Sequence, residues 1–251
     1  MKKIDKIINL ILPVLTVGAI LILWAVMANA VGSEYILPSV SKTFTEFFAL
    51  FQNGSFYLAF LLTIVRSLIA FILSFIIATI FAVLAFKSKK AERVVITITS
   101  IIRALPTVAI VLLLLFWTNS QVAPVIVTML VVMPTTYTQL LNALKSIDKT
   151  VVEAGMVDGA DRKKLFLKVE FPQILPSVCM TIGSGISLNF KLMVAAEVLS
   201  ATVRSLGNML NLANYSGEIA KMMALVMMAI IFGIICEFAF KKLADKLGNW
   251  R

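Results

Sequence analysis

Histidine is absent from the chain, which removes the commonest general base and metal ligand. Any chemistry must rest on carboxylates, guanidiniums and amines. Four of these, Arg66, Arg103, Lys191 and Glu197, sit inside long apolar runs. A charge at mid-bilayer costs about 2.5–3.5 kcal/mol on insertion scales, so each must face protein or a water-filled path. Three basic groups along such a path would favour an anionic solute. In the competing reading, each is held by a carboxylate or carbonyl, or reaches the interface along its alkyl stem. Lys191 and Glu197 lie nearest the outer end of their run. Glu197 and Arg204, seven residues apart, share a helix face and could pair, whereas Lys191 faces another way. Within the apolar runs, no His cluster, Asp-x-x-Asp or Ser/Lys arrangement gathers ionisable groups at one depth for enzyme chemistry or a metal site.

The second group of charges is concentrated in one stretch, Asn142 to Pro176, where eleven residues are ionisable: Lys145, Asp148, Lys149, Glu153, Asp158, Asp161, Arg162, Lys163, Lys164, Lys168 and Glu170. Local chemistry divides it into two short helices. Thr150-x-x-Glu153 has the form of a capping box, with Asp148 a rival N-cap. Asp158-Gly159 supplies the stop, because glycine adopts the left-handed conformation that closes a helix. A second helical run starts near Asp161 and is expected to halt before Pro172 and Pro176. Helix, sharp turn, helix makes a rigid knob outside the bilayer.

The elements that hold these residues are membrane spans. The chain of 251 residues is 60% hydrophobic and 14% charged, with a mean hydropathy of +0.98, against about 45–50% and about 25% in soluble domains. Six spans are expected, at 7–31, 57–86, 94–117, 122–141, 174–203 and 219–240, each long enough for a hydrocarbon core of about 30 Å. Ala28-Asn29-Ala30 resembles a signal-peptide cleavage site, but the preceding apolar stretch is too long for an ordinary signal region. Phe44, Phe47, Phe48 and Phe51 recur at helical spacing and mark an amphipathic helix along the interface. Pro106 should kink the third span, Gly183-Ser184-Gly185 should permit close helix contact, and residues 204–218 should form an outer loop. Cys179 and Cys236 lie in apolar runs and read as small fillers. Seventeen Lys and Arg residues fall on the side of the two termini and the central loop, against three on the other. The positive-inside rule therefore puts that loop and both termini in the cytoplasm. The net charge of +10 follows from the same bias and calls for no nucleic acid.

Glu153-Ala154-Gly155, Gly159, nine residues, then Val169-x-Phe171-Pro172 resembles the EAA loop of ABC-importer inner-membrane permeases, whose pattern is EAA, three residues, G, nine residues, I-x-L-P. The departures are Gly155, Val169 and Phe171, all small or apolar. Leu37-Pro38-Ser39 (with Val40 where that group has a second proline), Arg103-x-x-Pro106, Ala195-Ala196-Glu197 and Leu206-Gly207 are similar to the nitrate, sulfonate, taurine and bicarbonate permeases. That group also includes permeases for thiamine pyrimidine precursors and riboflavin. The resemblance extends from Leu37 to the tail.

The resemblance implies an all-α integral membrane protein of the type I ABC importer permease fold. It implies a single permease domain over 1–251, with a cytoplasmic coupling loop at 142–173 in which Glu153, Ala154, Gly155, Gly159, Ala160 and Asp161 meet the ATPase. It further implies a permease homodimer in the bacterial cytoplasmic membrane, two ATPase subunits, an extracytoplasmic solute-binding protein and contact with membrane lipid. No cofactor is called for. No G-x-x-x-x-G-K-[ST] loop occurs, so ATP must be handled by another chain. The solute would be a small organic or inorganic anion, with Lys191, Glu197, Arg103 and Arg66 as path candidates. The alternative is an ion-coupled carrier or channel without an ATPase partner, which leaves the spacing of the central loop unexplained.

Overall fold

A computed structural model describes residues 2–248, with side chains from Leu12 onward. The helices in order are α1 (Lys2–Val31), α2 (Val40–Leu50), α3 (Gly54–Lys87), α4 (Lys89–Ala104), α5 (Thr107–Trp117), α6 (Ala123–Lys145), α7 (Lys149–Val157) and α8 (Arg162–Leu165). A π-helical turn (Phe166–Glu170) then leads into α9 (Phe171–Leu199), α10 (Leu206–Tyr215) and α11 (Ile219–Gly248). The chain divides into two compact units, one of residues up to Tyr57 with Met209–Met228, the other of Leu58–Asn208 with the residues from Ala229 on.

In the first unit the expected amphipathic helix is α2. Ser39 caps it, its hydroxyl accepting from the Lys42 amide at 3.3 Å, and the Phe47 ring packs edge-on against Phe48 and Phe51. Phe44, Phe48 and Phe51 are exposed while Thr43 and Leu50 are buried. The Trp24 indole donates to the Pro38 carbonyl at 3.0 Å, which ties α1 to the segment entering α2.

The second unit is built on α6 and α9. Small residues of α3, Ala78, Ala82 and Ala85, form one buried cluster with Met133, Tyr137, Leu140 and Leu141 of α6 and Val95 of α4. Val111 of α5, Val127 of α6 and Ala196 of α9 form another. Lipid tails are as apolar as these side chains, so close van der Waals fit rather than hydrophobic transfer holds such helices together. The two glycines expected to allow that fit do so. A Cβ on Gly183 would stand 2.6 Å from the Phe240 Cβ, and one on Gly185 would stand 2.4 Å from the Phe71 ring.

Among the described residues, five helices are long and apolar enough to cross a membrane. The expected third span, 94–117, is instead the pair α4 and α5, bent by 89°. Pro106 therefore breaks this span rather than kinking it. Proline forces the preceding residue out of the helical region, and Leu105 is extended at ψ 129°. Pro106 then serves as the N-cap of α5. The expected outer loop at 204–218 is also corrected, since Leu206–Tyr215 is helical. Ser205 starts that helix, its hydroxyl accepting from the Asn208 amide at 2.9 Å.

Candidate functional site

The central loop folds as a helical hairpin. Asp148, not Thr150, caps α7. The Asp148 carboxylate accepts from the Thr150 amide at 2.9 Å and also from the Thr150 hydroxyl. These bonds, the hydroxyl first, hold its carboxyl below the usual aspartate range. The capping box at Thr150 and Glu153 is thus not used, because Thr150 already lies inside the helix. The Asp148 amide donates to the Gln173 side chain at 2.8 Å, anchoring the loop to the base of α9.

The stop is the one the sequence indicates. Gly159 has φ +74°, its amide donates to the Met156 carbonyl, and the Ala160 amide reaches back to Gly155 at 3.0 Å. This is a Schellman motif, and its left-handed position is where glycine is unstrained. Gly155 faces α8: a Cβ there would stand 2.5 Å from the outer end of the Leu165 side chain, which is buried.

The second arm does not halt before the prolines. α8 passes through the π turn directly into α9, which runs on past Pro172 and Pro176. Proline breaks a helix by removing a donor and crowding the carbonyl four residues back. For Pro172 that carbonyl belongs to Lys168, inside the π turn, where the wider coil does not require the missing bond. Arg162 pairs with Glu170 at 2.7 Å across this turn.

The hairpin places Glu153, Ala154, Gly159 and Asp161 in solvent, with Gly155 and Ala160 half-buried. It also presents three apolar side chains that charge and spacing did not single out, Val151, Met156 and Val157, the last 88% exposed. The signal was available: apolar residues on a polar loop, on the helix that carries Glu153.

The four membrane charges do not form one cluster. Glu197 is fully buried and pairs with Arg66 at 3.0 Å. It also accepts from the Thr63 hydroxyl at 2.9 Å and the Gly207 amide at 3.4 Å. Thr63 in turn accepts from the Leu206 amide at 3.0 Å, and Arg66 donates to the Gln121 side chain at 2.5 Å. Arg103 donates to the Pro134 carbonyl at 2.8 Å and to the Thr138 hydroxyl. Lys191, half-exposed, stands 4.0 Å from Glu237. The expected Glu197–Arg204 pair does not form. Helical spacing ends at Leu199, and Ala201 and Arg204 take left-handed φ of 49° and 52°. Thr63 and Gln121 were missed by sequence reasoning.

Residues 74–248 match the model of the binding-protein-dependent transport system inner membrane component. The chain belongs to this family. The aliphatic sulfonates transport permease protein SsuC of Escherichia coli strain K12 is 26% identical over 178 residues, 70% of this chain and 68% of that one. The formylaminopyrimidine transport permease protein ThiX of Halalkalibacterium halodurans is 23% identical over 241 residues, 95% of each. The inward-facing MetNI methionine ABC transporter shares the fold, with a TM-score of 0.60 at 19% identity over 74% of this chain and 93% of that one. The protein is an all-helical, multi-pass permease subunit of an ABC importer, and ATPase activity lies in separate partner subunits. The ion-coupled carrier is set aside by this membership.

Proposed function

We propose that the permease moves a small anionic solute of the sulfonate, taurine or nitrate kind. In this reading two copies form the path, two ATPase subunits dock on the loops at 142–173, and an extracytoplasmic binding protein delivers the solute. Both termini and the loop face the cytoplasm of a bacterial cell. The observation that carries the docking reading is the hairpin itself: a turn closed at Gly159 that leaves Glu153, Met156 and Val157 exposed on a short helix, the first two along the rim of a cavity. Exposed apolar side chains beside a carboxylate, outside the membrane helices, fit a protein groove better than water. The relatedness to a sulfonates permease and the excess of basic residues in the spans support an anion. Of those residues, Lys191 has a side chain that is 49% exposed, against 13% for Arg66.

ATP drives such a cycle only by binding the closed ATPase pair better than the open one, with the docked loops moving between the two states. The test is purification from the native cell in mild detergent. A co-purifying ATPase whose turnover rises with a solute-loaded binding protein is the expected result, and the stimulating solute names the substrate class. A protein that emerges alone and binds no ATPase on reconstitution defeats the docking role. Stimulation only by neutral solutes defeats the anion.

A further inference from the structure

At the end of the helix bundle that bears the hairpin lies a cavity of about 670 Å³, bounded by the end of α3, the start of α4, the end of α6 and α7. Its wall is apolar, with Phe86, Leu144, Ile147 and Val152. Its rim carries five basic side chains, of which two are already used: Lys145 by Glu92 at 2.5 Å and Arg162 by Glu170 at 2.7 Å. The other three, Lys87, Lys89 and Lys149, make no ion pair among the described residues. A second cavity, of about 690 Å³, shares Phe86, Lys87, Leu144 and Ile147 with the first, so the two adjoin. It opens past Val83 and Phe166, which are exposed, and adds Lys163 and Asp161. Free cations therefore outnumber the free carboxylates of Glu153 and Asp161 by two along the groove.

The position matters as much as the charge. Lys87 ends α3 and Lys89 begins α4, so the ammonium groups mark where a membrane helix leaves the bilayer. Below them, exposed Val83 and Phe86 continue along α3. A free phosphate or a nucleotide would use the rim and leave that wall unused. An amphiphile would use both, and basic pockets at the ends of membrane helices are suited to anionic lipid headgroups.

We propose that this groove binds an anionic phospholipid, its phosphate among Lys87, Lys89 and Lys149 and its acyl chains along Val83 and Phe86. The headgroup then touches the α3–α4 turn and the first residue of α7 together. Membrane composition would thereby act on the base of the hairpin.

The test uses the purified, delipidated protein in detergent, titrated with phosphatidylglycerol, phosphatidylcholine or inorganic phosphate, with bound lipid counted by native mass spectrometry. It involves neither ATP nor solute, so it stands or falls apart from the docking reading. Phosphatidylglycerol should be retained in preference to phosphatidylcholine. The triple variant Lys87→Gln, Lys89→Gln, Lys149→Gln should weaken retention about fivefold per lysine, on the order of a hundredfold together. Lys241→Gln, Lys242→Gln, Lys246→Gln should leave it unchanged. Undiminished retention by the first triple variant, an equal loss in the second, equal binding of phosphatidylcholine, or displacement of the lipid by inorganic phosphate would each overturn the proposal. If the triple variant is not monodisperse, Lys89→Gln alone is read against the fivefold expectation.

Discussion

Gly207 lies so close to Glu197 that a Cβ at position 207 would stand 2.5 Å from the Cβ of the glutamate and 2.5 Å from the Val198 amide nitrogen. The contact is with backbone as well as side chain, so no rotamer change relieves it. It lets the Gly207 amide reach the carboxylate and fixes the start of α10 against the end of α9.

Gly207→Ala should therefore destabilise the protein by about 1–3 kcal/mol, the usual range for overpacking. Gly54→Ala, where nothing lies within 4 Å, is the control. Thermal unfolding in detergent compares them, and equal midpoints would show that the segment gives way easily.

Breaking the buried pair should be harsher. Arg66→Met leaves the Glu197 carboxylate to Thr63 and Gly207 alone, and loss of one partner of a buried pair costs about 3–5 kcal/mol. The double variant Arg66→Met, Glu197→Gln should recover a large part of that loss, because no uncompensated charge remains. A double-mutant cycle on unfolding midpoints measures the coupling. Additive effects would mean that the two groups do not stabilise each other.

In the hairpin, Gly159→Val puts a β-branched residue at φ +74°, which is strained, and Glu153→Arg reverses a solvent-facing charge. Each should reduce ATP-driven uptake in vesicles at least about tenfold if an interaction of about 1.4 kcal/mol is lost, while membrane insertion is retained. Gly155→Ala meets only the end of the Leu165 side chain, which can turn aside, and should transport nearly normally. Full uptake by both of the first two variants would remove the docking role.

The Asp148 cap carries a pH signature. Its folded carboxyl titrates below the ordinary aspartate value of about 3.9, so its contribution to α7 is complete above that value. It is lost as pH falls through the lower folded value. Hydrogen exchange at the Thr150 amide should stay slow until that point and then quicken. Asp148→Asn, which keeps an acceptor but cannot titrate, should abolish the pH step. A step that persists in Asp148→Asn would locate the titration elsewhere.

What the sequence made legible was local. The turn at Gly159 follows from one glycine after an acidic residue, and the Phe stripe of α2 from spacing alone. Misread features were contests between neighbours or over distance. Asp148 outcompeted Thr150 for the same cap. Pro172 reads as a stop in an α-helix but not beside a π turn, which no local pattern announces. Pro106 signals a change of direction, but nothing in the sequence sets its angle, which is 89°. The partner of Glu197 is 131 residues away on α3, beyond any local pattern. The nearer candidate, Arg204, depended on a helix that had already ended.

The π turn has a mechanical consequence. Because it accommodates Pro172 without a break, Arg162–Leu199 is one continuous helical run of 38 residues, roughly 55 Å at about 1.5 Å per residue. One end stands in the hairpin, and the other bears Glu197. Torque applied at Arg162 thus has an uninterrupted shaft to travel along, and it arrives at a carboxylate gripped from several sides.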